Sequence, residues 1–349
     1  MRLEVDVVLR RGPIAESRHR VTVAVCGAGG SGTGPSAPGG ADPAAAGGPA
    51  DPVTTFRSAA KPFQLLPLVE RHAERWGWSD EQLAVMCASH TGSAYHAGLV
   101  RGVLERIGCT ERDLVCGYHE PQDPESREHL AAHPEDRSPI WNNCSGKHAG
   151  MLCLARSEGW PIEGYHLLAH PVQQLMRRTV AELCGMEPGE LLVAIDGCSV
   201  CVFGLPLSRM ACAYARLAAA RGGGDARDRA LARIRGAMTA FPVAVGGEGR
   251  LGTMVMQATR GRLVVKGGAE GLQCAGIPER GLGLALKCED GAARAMGPAT
   301  VAVLEHLGEL SAAELEQLAV HRRPRITNHA GLDVGFLDAV VRAPIGVSE

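Results

Sequence analysis

The hydrophobic period of this chain changes three times along its length, and that order restricts the fold more than any other feature. At the start, LEVDVVLRRG and SRHRVTVAVC alternate apolar and polar residues, with Val21, Val23 and Val25 on one face, which predicts two strands over residues 2–26. From Ser58 to Gly77 the residues Phe63, Leu66 and Val69 recur at the period of a helix. Leu83–Ser89 reads as a buried element ending in the polar cluster SHTGS. Further helices are expected over Ala94–Ile107, closed by Gly108, and over Lys147–Glu158, Pro171–Cys184, Leu205–Ala220, Ala226–Ala240 and Glu248–Thr259. Residues 117–140 are polar and read as a long surface loop with a short helix. Strand patterns return in Arg262–Lys266, Gly271–Ala275 and Leu282–Cys288, joined by Gly-rich turns as in an antiparallel meander. Two helices, over Val301–Leu307 and Ala312–Val320, are expected to close the pattern. Strands at both ends of a helical middle predict an α+β fold, in which terminal strands share one antiparallel sheet and the helices form a second lobe.

One stretch fits neither period. Residues 27–52 are almost wholly Gly, Ala, Pro, Ser and Asp. Such a segment buries too little apolar surface to offset the cost of ordering its backbone, so it is expected to be a flexible insertion between strands. The GAGGSG run inside it is no phosphate loop, because no Gly-Lys-Ser/Thr follows and no helix begins there. The charge is balanced, 36 Lys+Arg against 38 Asp+Glu, which argues against a nucleic-acid partner. No apolar run approaches the roughly 20 residues that span a membrane. The opening MRLEVDVVLRRG carries Glu4 and Asp6 and no apolar block, so no secretory signal is expected. Twelve cysteines are spread through apolar runs such as AVMCAS and GMLCLAR. Most are expected to be reduced and to pack as small hydrophobes, which points to a reducing, cytoplasmic compartment.

Several polar groups could carry chemistry. Ser58-Ala-Ala-Lys61 sits at the start of a helix, and one turn brings Ser58 and Lys61 to the same face. A lysine that is desolvated and close to other cations can be neutral often enough to take a proton from a serine. The same spacing also suits an N-cap serine with a surface lysine. Cys87-Ala-Ser89-His90 ends a buried element. Asn142-Asn143-Cys144-Ser145-Gly146-Lys147-His148 is dense in polar side chains, and Asp196-Gly197-Cys198 closes the apolar run LLVAI. Thiols with nitrogen donors would suit zinc, but buried thiols at turns would look alike in sequence. Cys198-Ser-Val-Cys201 has the spacing of a redox pair without a thioredoxin-like context. Lys266-Gly267-Gly268 ends a strand and leaves the backbone open for a substrate to lie along it.

Taken in order, RSAAKPFQ, MCASH, NNCSGKHAGM, HPVQ, DGC, GEGR and KGG resemble the asparaginase II family, typified by the inducible rhizobial L-asparaginases. The resemblance runs from about Val7 to Arg325. It implies a fold similar to serine β-lactamases and penicillin-binding proteins, and a single catalytic domain over 1–349. It further implies a small-molecule amide substrate, with L-asparagine hydrolysed to L-aspartate and ammonia through a Ser-Lys acyl-enzyme. Another small amide handled by the same mechanism is the alternative. On this resemblance Ser58 would be the nucleophile, Lys61 its base, and Ser89 with Lys266 a second pair that relays protons. Cys144, Lys147 and Cys198 would hold a zinc ion that is structural or organises the substrate, and Arg57, His148 and Asp196 would bind the substrate. A homodimer is implied as well. Ser93 stands where an acidic residue is usual in the family.

Overall fold

The computed structural model describes residues 1–27 and 51–342, so most of the Gly/Ala/Pro-rich stretch, residues 28–50, lies outside the described residues. The chain opens with strands β1 (Arg2–Arg11) and β2 (Ile14–Gly27) and continues past the short strand β3 (Val53–Thr55). A helical stretch follows: α1 (Lys61–Trp76), α2 (Asp80–Met86), α3 (Ala94–Arg106), α4 (Pro124–Ala132), α5 (Ser145–Glu158) and α6 (Pro171–Leu183). Strands β4 (Leu192–Ile195) and β5 (Cys201–Pro206) lead to α7 (Leu207–Ala219), α8 (Ala226–Ala240), α9 (Pro242–Gly246) and α10 (Leu251–Ala258). Strands β6 (Val264–Gly268), β7 (Leu272–Ile277) and β8 (Leu282–Cys288) come next. They are followed by α11 (Met296–His306), α12 (Ala312–Gln317), α13 (Ala319–Arg322), β9 (Arg325–Thr327) and β10 (Asp333–Arg342). The residues form two compact units, one of Met1–Thr54, Leu205–Ala219 and Met254–Glu349, the other of Thr55–Gly204 and Ala220–Thr253.

The first unit is built on a seven-stranded sheet in the order β6-β7-β8-β2-β1-β10-β9. Its neighbours pair antiparallel, and β1 lies between β2 and β10, with Val5 opposite both Val21 and Val341. Both ends of the chain therefore contribute to one sheet. The alternation read in the sequence decides which side chains turn inward: Val5, Val7, Val21 and Val23 are fully buried. Each contributes about 1.5–3 kcal/mol relative to an exposed side chain. The expected meander is present as β6-β7-β8. Helix α7 rests directly on its backbone, because a methyl group at Gly283 would lie 2.0 Å from the Ala211 carbonyl oxygen. Cys26, at the end of β2, is disulfide-bonded to Cys212 of α7, an exception to the reduced state expected for most thiols. The other ten cysteines are in no disulfide and are buried.

In the second unit α1 carries the buried side chains Phe63, Leu66, Leu68 and Val69 and packs on α5, α6 and α8. Helix α5 is buried on every side from Ser145 to Ala155, which its small and apolar composition permits. Helix α2 starts at a capping box, in which the Gln82 N–H donates to Ser79 Oγ and the Ser79 N–H to Gln82 Oε1, each at 3.2 Å. It ends at Met86, so the element expected over Leu83–Ser89 is the last part of this helix and the turn that follows. Among the described residues no helix is long and apolar enough to cross a membrane.

Two expectations need correction. The helix predicted from Leu205 begins at Leu207, because the preceding CVFGLP completes strand β5, paired with β4 through Ile195 and Cys201. The chain also does not close on helices. Strands β9 and β10 follow them, and in β10 only Leu337 is buried, so no clean alternation marks the strand in the sequence.

Candidate active site

Lys61 is the first residue of α1 and only 2% of it is exposed. An ammonium has three N–H donors, and Nζ directs them to the Ala88 carbonyl oxygen, to Ser89 Oγ at 2.8 Å and to Cys144 Sγ at 3.2 Å. None of these bonds runs to Ser58. Burial lowers the Lys61 pKa; the nearby Lys147 acts in the same direction, and Cys144 opposes both. Ser58 lies in the single 3-10 turn Arg57–Ala60 that leads into α1. Ala88 and Ser89 follow the end of α2, where the Ser89 N–H donates to the Val245 carbonyl at 3.0 Å. Lys61 therefore fastens the start of one helix to the exit of another.

Behind Lys61 lies a buried sulfur and nitrogen cluster. Asn142 positions Cys144: its Oδ1 accepts from the Cys144 N–H at 2.8 Å, and its Nδ2 donates to the Cys116 and Gly117 carbonyls at 3.0 Å. Lys147 Nζ donates to Cys198 Sγ at 2.8 Å. The Cys198 thiol also hydrogen-bonds Cys144, and this contact, with Lys61 and Lys147 nearby, holds Cys144 well below the usual thiol range. The same bond and burial push Cys198 up. Burial works against the charge of Lys147, but Cys144 and Cys198 outweigh it and raise its pKa. Two buried sulfurs and an amine, brought together from α5 and the turn after β4, are a soft donor set that suits zinc. A lysine ligand would have to give up its proton to the metal.

Arg57 and Asp196 face each other, Nε to Oδ1 at 3.1 Å. Both flanks of this contact are strained. Arg57 has φ +42° and Ser199 φ +72°, values that residues with a Cβ rarely adopt and that cluster at functional sites. Arg57, Lys61, Gln64, Lys147, Asp196 and Phe203 are among the residues that line a common small cleft. His148 is buried next to Lys147, with Nδ1 2.6 Å from the Tyr165 hydroxyl, and burial holds its pKa well below the usual imidazole value. Ser93 occupies the N-cap of α3, its hydroxyl 2.6 Å from His96 Nδ1.

Of the residues singled out in the sequence, Arg57, Ser58, Lys61, Ser89, Cys144, Lys147, His148, Asp196 and Cys198 all belong to the helical unit. Lys266 belongs to the sheet unit, on β6 opposite Cys274, with Nζ donating to the Gly267 carbonyl at 3.0 Å. Sequence reasoning gave no role to the Ala88 carbonyl, Gln64 or Tyr165. A family model described as L-asparaginase II matches residues 7–339. The chain belongs to the L-asparaginase II family. It is therefore an amidohydrolase of that family, and the match extends across both units. No curated protein matches the chain. His19, Cys288 and Asp290 of the sheet unit bring donor atoms within 4.8 Å of one another, a second group that could hold a metal ion.

Proposed function

We propose that this amidohydrolase cleaves the side-chain amide of L-asparagine through a serine acyl-enzyme, and that residues 1–349 act as one catalytic domain. The observation that carries the reading is Lys61, buried at 2% exposure one helical turn beyond Ser58 and held by Ala88, Ser89 and Cys144. In its neutral form Lys61 takes the proton of Ser58 Oγ, which bonds to the amide carbon. Backbone N–H groups at the start of α1 stabilise the oxyanion. The C–N bond breaks as the amide nitrogen gains a proton and leaves as ammonia. Water then cleaves the ester and releases L-aspartate. Ser89 and Lys266 form the second proposed pair, which supplies and returns protons.

Arg57 and Asp196 present opposite charges in the cleft, matched to the carboxylate and ammonium of an α-amino acid. His148 is the third residue proposed to bind the substrate. Cys144, Lys147 and Cys198 would hold a zinc ion, which when bound would supply a fixed positive charge that organises the polar groups around the substrate. The exposed apolar edge strand β4, with Leu192 and Ile195 63% and 80% exposed, supports a second copy of the chain as partner.

The deciding experiment is ammonia release from L-asparagine and from a panel of other small amides, by the wild type and by Ser58→Ala, Ser89→Ala and Lys266→Met. Ser58→Ala is expected to lose at least about 10³-fold in kcat. One observation favours a second reading: the hydroxyl bonded to Lys61 is that of Ser89. Full turnover by Ser58→Ala together with a dead Ser89→Ala would transfer the nucleophile to Ser89. Preference for another amide would move the substrate and leave the mechanism. Metal analysis with and without chelator tests the zinc, and light scattering tests the dimer.

A further inference from the structure

Ser89 is held from two sides. Its hydroxyl bonds Lys61 Nζ at 2.8 Å, and its N–H donates to the Val245 carbonyl at 3.0 Å. Val245 belongs to α9, a helix of five residues, and so short a helix is marginal without partners. What fixes the Ser89 main chain therefore depends on what fixes α9. One tie is Thr253, whose Oγ1 donates to the Pro242 carbonyl at 3.1 Å. Another comes from α3, where His96, 1% exposed, brings Nε2 to 2.9 Å from the Val243 carbonyl.

A carbonyl oxygen only accepts, so Nε2 carries the hydrogen in that bond. Burial holds the His96 pKa below the usual imidazole value, against the pull of the Val243 carbonyl and Asp123. In the neutral ring Nδ1 is then bare, and the Ser93 hydroxyl, 2.6 Å away at the N-cap of α3, donates to it. The ring also stacks on that of His90, with centroids 4.7 Å apart, which fixes its plane. The far end of α9 has no slack either. A methyl group at Gly247 would lie 2.5 Å from Oγ1 of Thr91, a neighbour of Ser89 along the chain.

We propose that His96 is a positioning residue for Ser89: oriented by Ser93, it holds α9 at the Val243 carbonyl, and α9 sets the Val245 carbonyl that fixes the Ser89 main chain beside Lys61. The consequence for turnover rests on the function proposed above, in which Ser89 passes protons, whereas the placement of Ser89 does not. The test compares His96→Gln with His96→Met in the full-length protein. The two side chains are close in length and volume. Gln carries its amide nitrogen at the position of Nε2 and still donates to Val243; Met has no donor. Hydrogen exchange at the Ser89 amide, read against the amides of α5, is measured alongside ammonia release from L-asparagine per folded protein. In His96→Met the Ser89 amide is expected to exchange about tenfold faster while α5 keeps its protection, and kcat to fall about tenfold with KM within about twofold. His96→Gln is expected to stay within about threefold of the wild type in both.

Equal Ser89 exchange and equal kcat in the two variants would overturn the proposal, since that is the mark of a packing role. A Ser89 amide that exchanges in the wild type as fast as an unprotected one would overturn it too, and this measurement needs neither a variant nor activity. If the wild type releases no ammonia from L-asparagine, the proposed function falls and the exchange rates still decide whether His96 holds Ser89.

Discussion

Gly146→Ala and Gly150→Ala add the same methyl group to the same helix about one turn apart, and their outcomes should be opposite. At Gly146 the new Cβ would lie 2.1 Å from the Val85 carbonyl oxygen and 2.8 Å from the Val85 carbonyl carbon. These are backbone atoms of α2 and cannot swing aside. At Gly150 the nearest atoms are side-chain carbons of Met86 and Leu65, at 3.5 and 3.6 Å, an ordinary contact. Helix preference favours Ala over Gly by about 1 kcal/mol at either position. At Gly150 that gain stands, so stability should rise by about 0.5–1.5 kcal/mol and Tm by about 2–4 °C. At Gly146 it is outweighed by overpacking of about 1–3 kcal/mol or more. Relieving the clash means moving the start of α5 by about 1 Å, and a displacement of that size at a catalytic site costs about 10²-fold in rate. Cys144 and Lys147 flank Gly146, and Cys144 touches Lys61, so the displacement reaches the candidate site directly. Scanning calorimetry and ammonia release measure the two effects. Wild-type melting and turnover in Gly146→Ala would refute the close approach of α5 to α2.

Other consequences concern the sheet unit. The Cys288 thiol, the Ala292 N–H and His19 hold the Asp290 carboxyl far below the usual carboxylate range. Its folded pKa is the lower one, so the unfolded chain takes the proton first and this contribution is lost as pH falls below about 4. Plots of unfolding free energy against pH for the wild type and Asp290→Asn should converge towards acid; parallel plots would exclude the contribution. The Cys26–Cys212 bond closes a loop of 186 residues, for which chain entropy allows up to about 5 kcal/mol of stabilisation. Dithiothreitol should lower the Tm of the wild type and leave that of Cys212→Ser unchanged, and equal responses would remove the bond from the account.

What could be read in the sequence was local. The alternation of Val21, Val23 and Val25 gave β2, and the strands joined by Gly-rich turns gave the meander. Strand β5 was hidden because its first five residues are buried, so the run has no period of two, and it passes straight into α7. Strand β10 was hidden for the opposite reason, having only Leu337 buried. At the site, the Ser58–Lys61 spacing correctly implied a helical turn, but not where the amine would point. Its partners lie 27, 28 and 83 residues further on, and only the packing of α1, α2 and α5 brings them to it. Lys147 and Cys198 meet across 51 residues for the same reason. Tyr165 had no signal at all, since a lone buried tyrosine in a polar loop resembles any other core aromatic.

The two strained residues explain why the helical unit needs so rigid a frame. A positive φ at Arg57 and at Ser199 costs on the order of 1–3 kcal/mol each and persists only where the surroundings leave no alternative. At Arg57 the neighbouring Phe56 is fully buried against Phe63, with ring centroids 5.7 Å apart, and its N–H donates to the Phe203 carbonyl at 2.8 Å. At Ser199 two main-chain hydrogen bonds close the turn on either side. The Arg57–Asp196 ion pair then joins one strained segment to the other. An exposed ion pair of this kind contributes little to stability, but this one is partly sheltered, with side-chain exposures of 26% and 12%. Its role follows from what it connects. The turn that presents Ser58 and the turn that presents Cys198 cannot relax independently, so the distance between the candidate nucleophile and the candidate zinc ligands is set by the core beneath them.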